Sequence, residues 1–449
     1  MIISDANLKI ILDSRGKETL SADIRGFTHP NFRIKLGRAS ADLYGIASVP
    51  SGKSKGTHEA FVLEPKKAIE KFKEVEPQIL NREFQSQEEF DNFLISLDGT
   101  PNKQNLGANL ILALSLAWAR LKAKSENLEL FQYINQLLRG STSSQINDNI
   151  WEVEPRGDRT SLKLPKPIFN VIEGGVHAKN KLDFQEFQII PEVKDFGMAL
   201  GLGQEFYRKL KEFLEKKFGK ENVSLGDEAG FSTSFRDNEE VIEILAELIV
   251  KYKYPLRIGL DIAASQFYKD GYYLVNNKKY SAEELLEYYL KLIESYNILS
   301  LEDPFYEEAF DSFASLTADL YRFQLINTDN ISINQPNQHQ SALIITDDLT
   351  TTNPERLKIA IDKKAGNAIL IKPNQIGTLT ETLEVVKLAY ENNWQVIVSH
   401  RSGETMDDFI ADLAIGIAAW GIKAGAPAAP ERMAKYQRVL EIRNWKLEI

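Results

Sequence analysis

Hydrophobic and polar positions follow two different patterns along the chain. The first 140 residues hold short polar–apolar alternations at 8–12, 32–36 and 45–49, followed by a strongly apolar stretch at 106–121. Alternation with a period of two is typical of strands, and the longer apolar stretch is typical of a helix. We therefore predict a small α+β domain over residues 1–140.

From residue 164 onward, helical patterns alternate with short apolar runs. An apolar stripe at 202–214, ended by Gly219, predicts an amphipathic helix, and Ser281 with Glu284 predicts a capping box at the start of another helix. Continuous apolar runs of strand length are typical of parallel strands that are buried on both faces and connected by crossover helices. Residues 141–163 are largely polar with little periodicity, which predicts a linker or insertion between the two parts.

Six of the apolar runs end on a residue that can take part in chemistry. The carboxyl ends of the strands of a (β/α)₈ barrel carry its active site, whereas a doubly wound sheet binds its ligand at one switch point. The pattern favours a modified (β/α)₈ TIM-type barrel over residues 164–449, with segment 327–340 as an exposed loop. The six residues are Asp261, Glu302, Asp347, Lys372, His400 and Lys423.

Composition and charge exclude several classes of function. The chain has 449 residues and a formal net charge of −10, which disfavours binding to nucleic acid or to an anionic membrane surface. Cysteine is absent, which excludes disulfides, thiolate metal ligands and cysteine nucleophiles. The N-terminal segment lacks the apolar core of a secretory signal, and the apolar run at 106–119 is shorter than the roughly 20 residues of a membrane-spanning helix. We predict a cytoplasmic protein.

Three of the strand ends carry carboxylates. Asp261, Glu302 or Asp347 alone would be read as a helix cap or a salt-bridge partner. Converging carboxylates are unstable together unless a cation compensates them. Because all three offer oxygen ligands, the pattern favours Mg²⁺ over zinc.

Basic and acidic groups for proton transfer lie near the same predicted rim. A lysine such as Lys372 or Lys423, held beside another cation and a metal, can be neutral and act as a general base, although a solvated surface lysine is the alternative. Glu186 and Glu228 could form a proton-donating pair in which one raises the pKa of the other, and a structural role is the alternative for each. His177 lies nine residues before Glu186.

Two segments suggest contacts with an anionic substrate. Arg401, within the His-Arg-Ser sequence 400–402, could clamp a phosphate. The segment 48–56, SVPSGKSKG, is small and rich in hydroxyl groups, as expected of a closing lid that brings a serine oxygen to an ion. It is not a phosphate-binding Walker loop, because it lacks that motif.

Together these segments resemble the enolase family over nearly the whole chain. The resemblance implies an N-terminal α+β domain capping a modified barrel, and Mg²⁺-dependent reversible dehydration of 2-phosphoglycerate to phosphoenolpyruvate in glycolysis or gluconeogenesis. It also implies two Mg²⁺ ions per site and a homodimer or higher oligomer. The matching stretches are ILDSRG, SVPSGKSKGTHEA, LDGTPNKQNLGAN, GGVHA, FQEF, GDEAG, GLDIAAS, LEDPF, DDLTTTN, IKPNQIGTLTET, VSHRSGET, DFIADL and IKAGAP.

The resemblance also implies a role for each matching residue. Lys372 would be the base that removes the C2 proton, Glu228 the acid that protonates the leaving hydroxyl, and Glu186 its support, with His177 nearby on a closing loop. The expected metal ligands are Asp261, Glu302 and Asp347 for one ion and Ser54 of the lid for the second. The expected substrate-binding residues are Ser54, Gln185, His400, Arg401, Ser402 and Lys423.

The chain departs from the usual family pattern around these residues. Two alternatives therefore stay open: an enolase-like enzyme acting on another phospho- or phosphono-carboxylate in a biosynthetic pathway, and a catalytically silent binding protein on the same fold. The two lid lysines could strengthen phosphate capture, select a more anionic substrate, or point into solvent. The departures are Lys53 and Lys55 in the lid, Glu173, Ala229, Pro373 and Ala424.

Overall fold

A computed structural model gives the fold for residues 1–27, 43–53, 56–140, 151–153, 160–328 and 342–444. The strands are β1 Ile2–Leu12, β2 Glu18–Phe27, β3 Leu43–Ser48, β4 Trp151–Val153, β5 Thr160–Leu162, β6 Lys166–Glu173, β7 Glu186–Pro191, β8 Ser224–Leu225, β9 Phe231–Ser232, β10 Leu256–Asp261, β11 Tyr268–Lys269, β12 Tyr272–Val275, β13 Lys278–Tyr280, β14 Ile298–Glu302, β15 Leu343–Thr346, β16 Ala368–Ile371, β17 Gln395–Ser399 and β18 Gly421–Lys423.

The helices flank these strands in both parts of the chain. They are α1 Pro65–Ile79, α2 Gln87–Asp98, α3 Ala108–Ser125, α4 Leu130–Arg139, α5 Phe196–Phe218, α6 Asn238–Tyr252, α7 Ala282–Tyr296, α8 Phe310–Thr328, α9 Pro354–Lys363, α10 Pro373–Ile376, α11 Leu379–Glu391, α12 Phe409–Gly416 and α13 Pro430–Asn444. Among the residues that the structure describes, no helix is both long and apolar enough to cross a membrane.

The N-terminal part is an antiparallel three-stranded sheet, β1-β2-β3, with helix α3 packed across it. Gly45 permits the close approach, since a Cβ there would lie 1.9 Å from the carbonyl oxygen of Ala117 on α3. The alternations at 8–12 and 45–49 coincide with β1 and β3, and the apolar stretch at 106–121 coincides with α3, as predicted. Strand β2 was not predicted, and segment 32–36 lies outside the described residues.

Eight strands of the C-terminal part close into a barrel. They follow one another in the order β6, β7, β10, β14, β15, β16, β17 and β18, and β18 pairs with β6 to complete the ring. The six apolar runs are β10 and β14–β18, which pair in parallel with one another, as predicted. Strand β7 runs antiparallel to both β6 and β10, so its first residue lies at the rim where the parallel strands end.

Two predicted helix features are confirmed. Helix α5 carries the apolar stripe and ends at Gly219, and the side chain of Ser281 caps α7 together with Glu284 in a capping box. In the segment predicted as a linker, β4 and β5 pair as a short antiparallel ribbon, and residues 141–150 and 154–159 lie outside the described residues. The Asn/Gln-rich segment begins at the end of α8, and its residues 329–340 are likewise outside them.

Candidate active site

One rim of the barrel collects the six strand-end residues. Because parallel strands end at the same edge of a barrel, these side chains converge there, as predicted. Glu186 joins them because β7 is reversed, and Gln185 precedes it and donates a hydrogen bond from Nε2 to Asp261 Oδ2 at 3.2 Å. Asp261, Glu302 and Lys423 are the last residues of β10, β14 and β18, while Asp347, Lys372 and His400 directly follow β15, β16 and β17.

The ammonium group of Lys423 binds three carboxylates. Its Nζ lies 3.0 Å from Glu186 Oε2, 3.1 Å from Asp261 Oδ2 and 2.8 Å from Glu302 Oε2, and the lysine side chain is 3% exposed. Burial by itself lowers the pKa of a lysine, but the three carboxylates outweigh it and raise the pKa of Lys423 well above its ordinary value. Lys423 is therefore a fixed cation at the centre of the rim.

Asp347 is held from several directions. Lys372 Nζ forms an ion pair with its Oδ2, and Gln375 Nε2 donates to its Oδ1 at 2.9 Å. The main-chain N–H groups of Asp347 and Asp348 donate to the carboxylate of Asp303 at 3.0 and 2.7 Å, which fixes the turn after β15. Burial favours a neutral lysine, but Asp347 outweighs it and raises the pKa of Lys372. The ion pair with Asp347 therefore favours the charged form of Lys372, and the role of Lys372 as a base stays a prediction.

The charges and ligand atoms of this cluster fit a divalent cation. Four carboxyl groups face the ammonium groups of Lys372 and Lys423, so full ionisation leaves the cluster short of two positive charges. Burial, and then repulsion from Asp261, raise the pKa of Glu302 well above its usual range. All the acidic side chains offer oxygen, the ligand that Mg²⁺ prefers. A different group of carboxylates, Asp303, Asp347 and Asp348, has oxygen atoms within 4.8 Å of one another and shares only Asp347 with the predicted metal ligands.

Glu228 lies in a second group of titratable side chains. Its Oε2 is 3.1 Å from His400 Nε2 and accepts a hydrogen bond from Asn170 Nδ2 at 3.1 Å, and its Oε1 is 3.6 Å from His177 Nδ1. Arg432 Nη1 is 2.6 Å from His400 Nδ1. Because a guanidinium group only donates, we assign the hydrogen of a neutral His400 to Nε2, facing Glu228. Burial lowers the pKa of His400 to about 4, so the ring is neutral near pH 7.

Glu186 has the raised pKa that the sequence predicts for one member of an acidic pair. Burial raises the pKa of Glu186 to about 8, and the charge of Glu228 adds to the effect. His177 lies between them, with Nδ1 at 3.9 Å from Glu186 Oε1. Burial and the charge of Glu228 therefore favour the neutral form of Glu186, while the Glu228 carboxyl group faces the two histidines.

Arg401 already binds a carboxylate. Its Nη1 and Nη2 atoms form a bidentate pair with Glu59 at 3.0 and 2.9 Å, and both side chains are buried. Ser402 Oγ accepts a hydrogen bond from the main-chain N–H of Lys53 at 2.9 Å and another from Arg15 Nη1 at 3.1 Å. Arg401 and Ser402, two of the residues expected to bind substrate, therefore also contact the chain on the two sides of residues 54 and 55 of the lid.

The structure describes the lid except for residues 54 and 55. Lys53 Nζ lies 2.8 Å from Asp227 Oδ2, and the two side chains are 39% and 23% exposed. This ion pair joins the lid segment to the loop that carries Glu228, so Lys53 is not a purely solvated lysine. Ser54 and Lys55 lie outside the described residues, and the metal and substrate contacts expected of Ser54 stay predictions.

Of the other departures, the structure explains Pro373 but does not explain Ala229 or Ala424. Pro373 is the first residue of α10, where its missing N–H costs no helical hydrogen bond. Ala229 has φ +66°, a left-handed conformation that glycine adopts with less strain. Ala424 is fully buried, and its N–H donates to the hydroxyl of Tyr436 at 3.2 Å.

Several site residues were not found by sequence reasoning. Arg432 of α13 is one: it donates to the carbonyl oxygens of Arg401 and Ser402 at 2.7 Å each and to that of Asp227 at 2.9 Å, so it holds two loops together. The others are Glu59, Asn170, Asp303 and Gln375. Arg432 and Asn170 lie outside the matching stretches quoted above, whereas Glu59, Asp303 and Gln375 lie inside them but had no role assigned.

Comparison with known proteins agrees with this geometry. The family model described as the N-terminal domain of enolase matches residues 3–134, and that described as the C-terminal TIM barrel domain of enolase matches residues 161–342 and 337–446. The chain belongs to the enolase family.

Curated enolases from archaea are similar to this chain over almost its whole length. The enolase of Methanocaldococcus jannaschii is 40% identical over 98% of this chain and 94% of its own length. That of Methanosarcina barkeri is 39% identical over the same shares, and that of Pyrococcus furiosus is 39% identical over 96% of this chain and 92% of its own. As a member of the enolase family, the protein is a metal-using lyase.

Proposed function

We propose that the protein catalyses the Mg²⁺-dependent, reversible dehydration of 2-phosphoglycerate to phosphoenolpyruvate in glycolysis or gluconeogenesis. The observation that supports this most directly is the barrel rim, where buried carboxylates and two ammonium groups lie beside a separate group formed by Glu228 and two histidines. The reaction needs both parts, because a proton leaves C2 and a hydroxyl leaves C3. Family membership supports the substrate assignment.

Metal binding is assigned to the carboxylates on three adjacent strands. Asp261, Glu302 and Asp347 would hold one Mg²⁺, and Ser54 would contribute to a second. When bound, Mg²⁺ supplies positive charge that stabilises the additional negative charge developing on the substrate carboxylate. An ion on Asp347 would compete with Lys372 for that carboxylate and so lower the pKa of Lys372, as its proposed role as a base requires.

Proton transfer is assigned to two different parts of the rim. Lys372 would remove the C2 proton, in keeping with the lysine or histidine base and one or two Mg²⁺ ions used across the enolase superfamily. Glu228 would protonate the departing hydroxyl, with Glu186 as the source of the proton and His177 beside both. This division lets the two steps be separated by mutation.

Substrate binding is assigned to the remaining residues of the rim. Lys423 would bind the substrate carboxylate, and His400, Arg401 and Ser402 would bind the substrate and its phosphate, together with Gln185. Arg401 is bidentate to Glu59 in this structure, and a phosphate presents the same kind of paired oxygen atoms to a guanidinium group.

A direct assay tests the proposal. We expect the purified protein to form phosphoenolpyruvate from 2-phosphoglycerate, measured by its ultraviolet absorbance, with Mg²⁺ but not in excess chelator. Absence of product with Mg²⁺ would contradict the proposal and favour the alternative of another phospho- or phosphono-carboxylate substrate. The assay therefore shows whether the protein catalyses this reaction despite the departures from the family pattern around its site.

Family membership also supports proposals about assembly and location. We propose a homodimer or a higher homo-oligomer, which sedimentation velocity would test, and a cytoplasmic location. Neither proposal depends on the assignments made to individual residues.

We predict that the ion pair between Lys53 and Asp227 affects substrate capture more than stability. A half-exposed pair of this kind contributes about 1 kcal/mol or less, so Lys53→Ala should leave the unfolding free energy nearly unchanged. The variant should raise KM for 2-phosphoglycerate and weaken its salt dependence, because the lid loses its anchor and a positive charge. A salt series of KM, with Lys251→Ala on α6 as the control, measures this, and an unchanged KM at all salt concentrations would contradict it.

A further inference from the structure

The loop of residues 226–230 carries Glu228, and the buried carboxyl group of Glu173 lies directly against this loop. Glu173 is the last residue of β6 and has no exposed surface. Its Oε1 accepts hydrogen bonds from the main-chain N–H groups of Glu228 at 3.0 Å and Gly230 at 2.6 Å, and its Oε2 lies 3.2 Å from the N of Glu228. The side chain thus binds the main chain at the proposed acid itself.

Two glycines allow the loop to surround this side chain. A Cβ at Gly226 would lie 2.3 Å from Glu173 Oε2, and one at Gly230 would lie 2.9 Å from Glu173 Oε1. Both distances are shorter than a real contact, so a side chain at either glycine would displace the Glu173 carboxyl group from the position it has here. The main chain of the loop therefore packs directly against the Glu173 carboxyl group, and a side chain of another length would not fill the same space.

Glu173 is one of several groups outside the loop that hold its main chain, because Arg432 Nη2 also donates to the Asp227 carbonyl at 2.9 Å. The loop closes on itself through Gly226 N–H and the Gly230 carbonyl at 2.9 Å, and the Glu228 carbonyl accepts from Ala426 N–H at 3.1 Å. Ala229, between these contacts, has φ +66°. A loop that contains a residue in this strained conformation needs contacts from outside to hold it, and the hydrogen bonds from Glu228 N–H and Gly230 N–H to Glu173 are contacts of this kind.

We propose that Glu173 is a positioning residue for the dehydration step: it holds loop 226–230 so that the Glu228 carboxyl group faces His400 and His177. The proposal rests on the proposed function, because it takes Glu228 as the group that protonates the leaving hydroxyl. Glu173 acts through the main chain of the loop and contacts no reacting atom. Its loss should therefore impair loss of the hydroxyl and spare proton removal at C2 by Lys372.

The protonation of Glu173 indicates which substitution should preserve its hydrogen bonds to loop 226–230. Burial raises the pKa of Glu173 well above its usual range, with further contributions from Glu228 and Glu186, so the neutral carboxyl form is favoured. Tyr207, which donates a hydrogen bond to the Ala229 carbonyl at 2.5 Å, is another titratable group near the loop. Glutamine has the same length as glutamate and can place its carbonyl oxygen at the position of Oε1. Aspartate keeps the carboxyl group but is one methylene shorter.

The test compares three substitutions at this position by two readouts, product formation and exchange of the C2 proton of 2-phosphoglycerate in D₂O followed by NMR. Glu173→Gln should form product within about threefold of the unmodified protein. Glu173→Asp and Glu173→Ala should lose about 30- to 100-fold in product formation, as expected for a proton donor displaced by about 1 Å, while exchange stays within about threefold. Glu284→Asp, the same substitution in the capping box of α7, is the matched control and should change neither readout.

Three results would overturn the proposal: full product formation by Glu173→Asp, a parallel loss of exchange and product formation, or a Gln variant as impaired as the Asp variant. If Glu173→Ala does not unfold cooperatively, the Asp and Gln variants decide the question. Failure of the proposed function is a separate result, because the unmodified protein would then form no phosphoenolpyruvate.

Discussion

Lys372→Ala should abolish both exchange of the C2 proton and formation of phosphoenolpyruvate, whereas Glu228→Gln should stop product formation and leave exchange intact. The two residues lie in different parts of the rim: Lys372 pairs with Asp347 after β15, and Glu228 faces His400 after β17. Loss of one acid–base group costs about 10²–10⁴-fold in rate. Because proton removal precedes loss of the hydroxyl, the base is needed for both readouts and the acid for one.

The measurement is proton exchange at C2 by NMR in D₂O, together with product absorbance, for each variant. Lys166→Ala and Glu192→Gln are matched controls, since these residues form an ion pair at 2.9 Å at the opposite end of the barrel. Both controls should retain exchange and product formation. Loss of exchange in Glu228→Gln together with its retention in Lys372→Ala would reverse the two assignments.

The positions of the rim residues could be predicted because the barrel strands are easily recognised in the sequence. A strand buried on both faces is a continuous apolar run, and each run stopped at a residue such as Asp261 or Lys423 that a buried parallel strand does not normally contain. The direction of β7 could not be predicted in this way. Its sequence, EFQIIP, is not one of the continuous apolar runs, and the strand reverses because the connection from β6, residues 174–185, contains only the single turn Gly175–His177 and no crossover helix.

The pairings within the rim join residues that are far apart in the sequence, so no local sequence pattern predicts them. Glu59 and Arg401 are 342 residues apart, and Arg432 reaches back across 205 residues to Asp227. Glu173 could be recognised as unusual from the sequence. Its contacts could not be predicted, because Glu173 accepts hydrogen bonds from main-chain N–H groups of loop 226–230, and the direction of these groups depends on the folded loop.

The excess of carboxyl groups over ammonium groups at the rim is the reason why we expect Mg²⁺ to stabilise the folded protein strongly. Lys423 and Lys372 together supply two positive charges to four buried carboxyl groups, and burial with repulsion from Asp261 raises the pKa of Glu302. A divalent ion would supply positive charge that allows more of these carboxyl groups to ionise together. Mg²⁺ should therefore bind the folded protein before any substrate does, and stabilise it by the free energy of that binding.

We predict that Mg²⁺ alone raises the melting temperature of the protein, and that Glu302→Gln removes most of this increase together with activity. Glutamine keeps the size of the side chain but removes a negative charge and one ligand oxygen. The loss in Mg²⁺ affinity should exceed the roughly 10- to 100-fold typical of substitutions that do not touch the metal. Thermal unfolding with increasing Mg²⁺ measures the affinity without substrate, and Glu192→Gln at the far end of the barrel is the control. Full activity in excess chelator, or an unchanged Mg²⁺ response in Glu302→Gln, would contradict the assignment of this carboxylate as a ligand.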